Sequence, residues 1–241
     1  RKQDEAAYLE EAGRFYELTE ALDRENHYMI ANMLSVRRSL EHANEKRREM
    51  EKANERLLEK SETDPLTRLA NRFRLNDYLE RAFERTRDDH RAFAVEILDI
   101  DYFKEYNDNY GHQAGDACIV AIADELRKMQ SHDTFCARYG GDEFIIIYEY
   151  KTEDEVFSMA DSLRERILDR RIEHVCSKAL PVVTISQGIC FDVAPEGSRS
   201  WDFLHAADMM LYEVKKRSRN NISLGHLDAK EARYGEERKF L

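Results

Sequence analysis

The stretch 138–144 reads Arg-Tyr-Gly-Gly-Asp-Glu-Phe and lies between two apolar runs, 135–137 and 144–148. A Gly-Gly pair between strand-like segments predicts a β-hairpin, because a tight primed turn requires positive φ angles that glycine adopts without strain. Two carboxylates, Asp142 and Glu143, follow the pair at the start of the second apolar run. Their burial would be costly unless a cation or hydrogen-bond donors lay nearby. Since a glycine turn also lets a phosphate approach closely, this segment is the first candidate for a functional site.

Composition narrows the class of protein. The chain has 241 residues, enough for one ordinary domain plus an extension. Charged residues make up 36% of it and the net charge is −11, which argues against a role in coating nucleic acid or an anionic membrane. The apolar runs are too short to span a bilayer, and no signal peptide is visible. We therefore expect no nucleic-acid partner and no membrane segment in this chain.

The cysteines and the first residue add two expectations about context. Cys118, Cys136, Cys176 and Cys190 are widely spaced and include no Cys-x-x-Cys pair. This spacing predicts buried thiols in a reducing compartment, and so a cytoplasmic protein. Because the sequence begins with arginine and not methionine, an upstream sensor domain is expected to be missing from it.

Residues 1–60 have the pattern of a long helix. Apolar residues recur every seven positions, at Tyr8, Phe15, Leu22, Met29, Val36, Ala43, Met50 and Leu57. Such a series is the seam of a coiled coil. The companion seam, four residues further on, is half polar and includes Asn26 and Asn54, which favours two strands in a fixed register. We predict a parallel dimeric coiled coil over 1–60, with a single amphipathic helix packed on its own domain as the alternative.

The helical pattern breaks at Asp64-Pro65, which predicts a helix end followed by a new helix with proline at its first position. Periodicity then predicts elements in the order strand 92–98, helix 115–129, hairpin, helix 153–170, strand 181–191 and helix 201–216. This βαββαβ order indicates an α+β sandwich, an antiparallel sheet with helices on one face. The domain is placed at 61–225. The charged tail 226–241 gives no firm prediction.

Three acids fall at the ends of predicted strands. Asp99 ends the first strand, and Asp142 and Glu143 open the strand after the hairpin. If these strands are neighbours, the carboxylates converge at one edge of the sheet. Paired carboxylates on adjacent strands are how palm-like nucleotidyl transferases hold Mg²⁺. The alternative is that each acid is a solvated strand end, and strict alternation would place Asp142 and Glu143 on opposite faces.

The stretch 138–144 resembles the signature of the GGDEF family, bacterial diguanylate cyclases that make cyclic di-GMP from two GTP. Four further segments resemble other motifs of that family, in order. They are 64–72, which joins the input helix to the domain; 99–104, the first metal-binding segment; 107–116, the guanine-binding segment; and 207–220, the closing helix. The resemblance implies a palm or nucleotide-cyclase-like domain behind a coiled-coil helix.

The resemblance also implies a metal site. Asp99 and Asp142 would bind Mg²⁺ (or Mn²⁺) through their side chains, with help from the carbonyl of Ile100. Glu143 would be either a ligand of a second metal ion or the group that eases deprotonation of the attacking 3′-hydroxyl. Asp142 and Glu143 are therefore the catalytic candidates.

The GTP site is implied in the same way. Asn107 and Asp116 would read guanine, and His112 belongs to the same segment. The β- and γ-phosphates would be held by three cations, and backbone N–H groups would complete the cradle. The cations are Lys104, Lys215 and Arg219, and the backbone groups are those of Phe103, Gly140 and Gly141.

Each of these residues also has an ordinary structural explanation. Asp116 could cap a helix, and Lys215 and Arg219 could complement a helix C-terminus. Lys104 could be a solvated lysine, and His112 a structural hydrogen-bonding group.

The sequence departs from the family pattern at several positions. Ser131 and Thr134 stand where many members have an inhibitory Arg-x-x-Asp site, which argues against product inhibition there. Arg68 and Ser218 replace usual glycines, which puts the linker geometry and the phosphate contacts in question.

The implied reaction is phosphoryl transfer between two GTP molecules with release of pyrophosphate. One domain would hold one GTP, so two domains must face each other, and the coiled coil would raise the local concentration of the second. A catalytically silent GTP-binding or dimerising relay module is the alternative. A cyclase for another nucleotide is a third possibility, against which Asp116 favours guanine.

Overall fold

The computed structural model describes residues 2–60 and 62–227, and the chain forms two compact units, Arg1–Lys60 and Ser61–Leu241. The first unit is a single helix, α1, Lys2–Lys60. Leu22, Met29, Val36 and Met50, members of the predicted seam, are 55 to 68% exposed. The side chains of three other seam members, Tyr8, Phe15 and Leu57, lie outside the described residues, as does most of the 226–241 tail. Among the helices described, none has an apolar stretch that could cross a bilayer.

The second unit contains a five-stranded sheet in the order β2-β3-β1-β4-β5. The strands are β1, Ala92–Ile100; β2, Thr134–Gly140; β3, Glu143–Glu149; β4, Ile185–Val193; and β5, Ile222–Gly225. The first four pair antiparallel, but β5 runs parallel to β4. The sheet is therefore mixed, and the prediction of a purely antiparallel sheet was wrong because the short fifth strand was not recognised.

Five helices accompany this sheet: α2, Arg72–Asp88; α3, Phe103–Tyr110; α4, His112–Met129; α5, Glu153–Asp169; and α6, Ser200–Arg217. The predicted βαββαβ order is confirmed, with α3 and β5 as additions and α2 as the helix predicted to follow Asp64-Pro65. Helices α3, α4 and α5 pack on one face of the sheet, whereas α2 and α6 pack on the other. The prediction of helices on one face was wrong. Strand β1 shows the reason, since its side chains are buried on both faces and each face needs a cover.

The segment before α2 also differs from the prediction. Pro65 begins a turn, and the next helix starts only at Arg72. The turn is closed by Asp64, whose Oδ1 accepts hydrogen bonds from the backbone N–H of Thr67 at 2.8 Å and from its hydroxyl at 2.7 Å. Arg68 follows with φ +60°, so it occupies the left-handed conformation for which glycine is the usual choice.

The cysteine prediction holds for three of the four residues. Cys118, Cys136 and Cys190 are buried, whereas Cys176 is exposed. Cys176 lies in the irregular segment between α5 and β4, where no sheet or helix covers it.

Candidate active site

The hairpin between β2 and β3 presents the signature residues at one edge of the sheet. Gly140 is the last residue of β2 and pairs with Glu143, so the turn consists of Gly141 and Asp142. Of the two glycines, Gly141 alone has a positive φ, +54°. This corrects the prediction of a turn made by both glycines. A Cβ added at either glycine would meet no atom within 4 Å. The backbone here is open to an approaching ligand.

The strand register brings the predicted acids together. Asp99 at the end of β1 is directly opposite Glu143 at the start of β3. The Lys215 ammonium on α6 lies 2.8 Å from Asp99 Oδ2. Burial raises the pKa of Asp99 to about 6; Lys215 acts to lower this pKa, and the charges of Asp142 and Glu143 add to the rise. The pairing of β1 with β3 thus meets the condition under which the acids were expected to converge at one edge of the sheet.

Glu143 shares this electrostatic environment. Burial raises its pKa, the charge of Lys215 acts in the opposite direction, and Asp142 and Asp208 add to the rise. The sequence reasoning assigned no site role to Asp208. Its position seven residues before Lys215 on α6 is the signal that could have found it, because residues two helical turns apart share a face.

This edge has the chemistry of a site for a hard divalent cation. Asp99, Asp142 and Glu143, with the carbonyl of Ile100, offer only oxygen donors, as Mg²⁺ prefers. In the described part of the chain, no group of three or more His, Cys, Asp or Glu side chains is already gathered in a metal-binding arrangement. Lys215 supplies the positive charge next to Asp99. Burial is the main cause of the raised pKa values of Asp99 and Glu143, and repulsion among the carboxylates adds to it, so a divalent cation bound to these oxygens would favour their ionised forms.

The predicted guanine-binding residues lie on α3 and α4. The Oδ1 atom of Asn107 is buried and has no hydrogen-bond partner among the described residues. A Cβ at Gly115 would fall 1.9 Å from that oxygen, so only glycine leaves room for the amide in this position. A buried amide oxygen without a partner is rare and marks a place where a ligand can donate a hydrogen bond.

The acid and the histidine of the same segment are both exposed. Asp116 is the fifth residue of α4, and the N-cap is Gly111, so Asp116 is not the helix cap that the structural explanation requires. His112 is the first residue of α4, and its side chain makes no hydrogen bond within the ranges described, contrary to the structural alternative. Asp116 and His112 are therefore free to contact a ligand.

Three of the predicted phosphate-binding groups lie at the start of α3. Phe103 is its first residue, and the preceding Tyr102 provides no side-chain cap. The first N–H groups of a helix have no partner within the helix and favour anions. Lys104 is exposed on the same turn, and the Arg219 guanidinium lies 4.3 Å from the centre of the Tyr102 ring.

Arg138 has a role that the sequence reasoning missed. Its Nη2 donates a 2.7 Å hydrogen bond to the carbonyl of Gly141, in the hairpin turn. Its Nη1 donates to Asp64 Oδ1 at 3.2 Å. The guanidinium thus ties the turn that follows residue 61 to the hairpin at the active-site edge. No local pattern reveals this contact, since the two ends are 74 residues apart.

An acidic sheet edge beside an open glycine hairpin is the arrangement expected of the family that the sequence resembles. The family model for the diguanylate cyclase GGDEF domain matches residues 61–221. The chain belongs to the GGDEF family.

Individual relatives agree with this assignment. The bifunctional diguanylate cyclase/cyclic di-GMP phosphodiesterase MucR of Pseudomonas aeruginosa is 35% identical over 159 residues, 65% of this chain and 22% of MucR. The diguanylate cyclase DgcP of Escherichia coli is 29% identical over 170 residues, 70% of this chain and 49% of DgcP. The chain therefore spans between about a fifth and a half of these curated relatives.

A solved structure that contains a coiled coil and a GGDEF domain is similar to this chain. The coiled coil and GGDEF domain of DgcB from Caulobacter crescentus, in complex with c-di-GMP, has a TM-score of 0.63 and 28% identity. The match covers 79% of this chain and 100% of that one. The fold is thus the mixed five-stranded nucleotide-cyclase palm, as the resemblance implied.

Proposed function

We propose that this protein condenses two GTP molecules into cyclic di-GMP and releases pyrophosphate. The observation that carries the proposal is the cross-strand pair of Asp99 and Glu143 beside the open Gly141 turn. The unpaired Asn107 amide, which Gly115 leaves room for, supports guanine as the base. The free thiols of the described residues are compatible with a reducing cytoplasm.

We propose the following roles for the residues at this edge. Asp99, Asp142 and the Ile100 carbonyl would hold Mg²⁺ or Mn²⁺, which would polarise the α-phosphate. Glu143, which lies opposite Asp99 across the two strands and whose pKa is raised by burial, would accept the proton of the attacking 3′-hydroxyl or help to bind a second ion. Lys215, now paired with Asp99, is placed to turn toward the departing phosphates.

Recognition of the substrate is divided among the helices around the site. Asn107 and Asp116 bind the guanine edge, with His112 at the rim. The N–H groups at Phe103 and at the Gly140-Gly141 turn bind phosphate oxygens, with Lys104 and Arg219 supplying positive charge. Positioning accounts for most of the rate, since phosphoryl transfer demands little covalent chemistry from the protein.

A purified sample supplied with Mg²⁺ and either GTP or ATP, followed by chromatography of the nucleotides, tests this function. We expect cyclic di-GMP from GTP and no cyclic product from ATP. Binding of GTP without any product would favour the alternative, a silent GTP-binding relay module. The intact Asp142 and Glu143 argue against that alternative, because a relay module needs neither carboxylate.

We further propose that α1 pairs in parallel with α1 of a second copy and makes turnover depend on the dimer. Leu22, Met29 and Val36 are exposed along one seam of this helix, and a long helix with a narrow apolar stripe needs a partner. A paired α1 holds two half-sites at high local concentration.

Polar replacements of the seam test this dependence. Leu22→Asn, Met29→Asn and Val36→Asn together should yield monomers that bind GTP but do not turn it over. The matched control is a set of charge-neutralising changes to Gln at Arg38, Glu45 and Lys52, which are exposed and lie two residues after seam positions, on the opposite side of the helix. Unchanged turnover in a demonstrably monomeric seam variant would contradict the dimer requirement.

A further inference from the structure

Asp101 is a buried carboxylate that the reaction outlined above does not use. It is fully buried and lies two residues beyond Asp99. Its two oxygens accept hydrogen bonds from β4 and the residue before it: Oδ1 from the Ser186 hydroxyl at 2.6 Å, and Oδ2 from the Thr184 hydroxyl at 2.8 Å. These bonds fix the carboxylate in one orientation.

The same carboxylate holds the turn that follows α6. Its Oδ2 accepts a third hydrogen bond, 2.9 Å long, from the backbone N–H of Asn220. Arg219 and Asn220 both have positive φ angles, +52° and +42°. Two consecutive non-glycine residues in the left-handed region are strained and persist only where the surroundings hold them. Asp101 provides that hold.

The Arg219 side chain is confined on two sides. Its Nη1 lies 3.6 Å from Asp101 Oδ1, and its guanidinium carbon lies 4.3 Å from the centre of the Tyr102 ring. The side chain is only 27% exposed. A guanidinium above an aromatic face is attracted by the ring, more strongly where water is partly excluded.

Tyr102 is itself held in an unusual conformation. Its φ is +57°, and it is the residue immediately before α3. The carbonyl of Tyr102 lies 3.1 Å from His174 Nε2, and since a carbonyl only accepts, His174 donates this hydrogen bond. His174 is fully buried, so the ring of Tyr102 is presented to Arg219 from a fixed backbone.

We infer that Asp101 and Tyr102 are positioning residues that pre-orient Arg219 for the terminal phosphates of the bound nucleotide. The inference rests on the proposed function in so far as the ligand is a guanosine triphosphate. A long cation normally loses rotamer freedom when it binds a ligand, which weakens binding. Here that freedom is already lost in the free protein. The benefit goes only to ligands whose β- and γ-phosphates reach Arg219.

Two ligands separate this role from a general structural one. α,β-Methylene-GTP carries all three phosphates and cannot be cleaved between the first two, whereas GMP lacks the phosphates assigned to Arg219. In calorimetry with Mg²⁺, Tyr102→Leu should weaken the binding of α,β-methylene-GTP by about three- to ten-fold. The same substitution should leave the affinity for GMP within about two-fold of the native value. Tyr102→Phe keeps the aromatic face and should bind both ligands as the native protein does.

A second pair of variants tests the route through Arg219. Asp101→Asn should repeat the selective loss, provided its thermal melt shows a folded protein; Tyr102→Leu keeps the test available if it does not. In the Arg219→Ala background, Tyr102→Leu should cause no further loss of triphosphate affinity. The inference would be overturned if the losses of triphosphate affinity in Tyr102→Leu and Arg219→Ala were additive, or if Tyr102→Leu weakened the binding of both ligands equally. It would also be overturned if the native protein bound α,β-methylene-GTP no more tightly than GMP. Failure of the proposed function is separate, and would be absence of cyclic product from GTP.

Discussion

Replacement of Gly115 by alanine gives a prediction that couples α4 to guanine recognition. The new Cβ would lie 1.9 Å from Asn107 Oδ1, 3.0 Å from its Cγ and 3.2 Å from Phe103 Cζ. Neither atom of Asn107 can stay at these distances, so the amide must rotate away from its present position. The guanine edge then loses the one or two hydrogen bonds that Asn107 offers.

The magnitude follows from the bonds lost. At about 0.5–1.5 kcal/mol for each neutral hydrogen bond, one or two bonds amount to about 0.5 to 3 kcal/mol, or roughly 2- to 150-fold in the dissociation constant for GTP. Calorimetry with α,β-methylene-GTP measures this loss directly. The affinity for inorganic pyrophosphate, which lacks the base, serves as the matched control and should not change.

A second background makes the test sharper. In Asn107→Ala the obstructing amide is gone, so adding Gly115→Ala should cost no further affinity. There the alanine should stabilise α4 by up to about 1 kcal/mol, since glycine is a poor helix former. Chemical denaturation measures this gain. Native-like GTP affinity in Gly115→Ala alone would refute the assignment of Asn107 to guanine.

Three further predictions concern stability. Arg68→Gly should raise the free energy of unfolding by up to about 1 kcal/mol, because φ +60° strains arginine but not glycine; loss of stability in denaturant would contradict it. Gly188→Ala should lower stability by about 3 kcal/mol or more, since its Cβ would lie 2.2 Å from the Leu211 nitrogen and 2.3 Å from the Ala207 oxygen; a native melting temperature would contradict it. Burial raises the pKa of Glu96 from 4.5 to about 7 in the folded protein. As the pH rises from 4.5 to 7, this carboxyl ionises in the unfolded chain but stays protonated in the folded protein, so the free energy of unfolding should fall by on the order of 3 kcal/mol. Glu96→Gln should remove that loss, and parallel stability–pH curves for the two proteins would contradict the assignment.

Strong local patterns in the sequence predicted much of the fold. The apolar run of β3 and the periodicity of α4, α5 and α6 were sufficient for the element order. The acids could be placed at strand ends from the sequence, but their convergence depended on whether β1 and β3 were neighbours. The pairing of Asp99 with Glu143 meets that condition.

The parts that failed depend on long-range contacts. Helix α2 is strongly polar, and its buried residues Leu75, Leu79 and Phe83 are too few to stand out from the adjacent loop. The layer of helices on the second face of the sheet could not be predicted without knowing that α2 packs there. Similarly, the bridge from Arg138 to Asp64 and the Asp101 hydrogen bonds join segments far apart in sequence.

The details of turns failed for a different reason. Gly140-Gly141 and Asp64-Pro65 each allow several backbone conformations. Which one forms is decided by neighbours such as Arg138, whose guanidinium binds the Gly141 carbonyl. Local composition could identify the turns but not their geometry.

The ratio of products formed by the dimeric protein tests the central claim most directly. Purified dimer would be given GTP and Mg²⁺, and cyclic di-GMP and pyrophosphate would be quantified in the same samples over time. Condensation of two GTP predicts two pyrophosphates for each cyclic di-GMP, and loss of both products in Glu143→Gln. GDP with inorganic phosphate, or pyrophosphate without a cyclic dinucleotide, would contradict the proposed reaction.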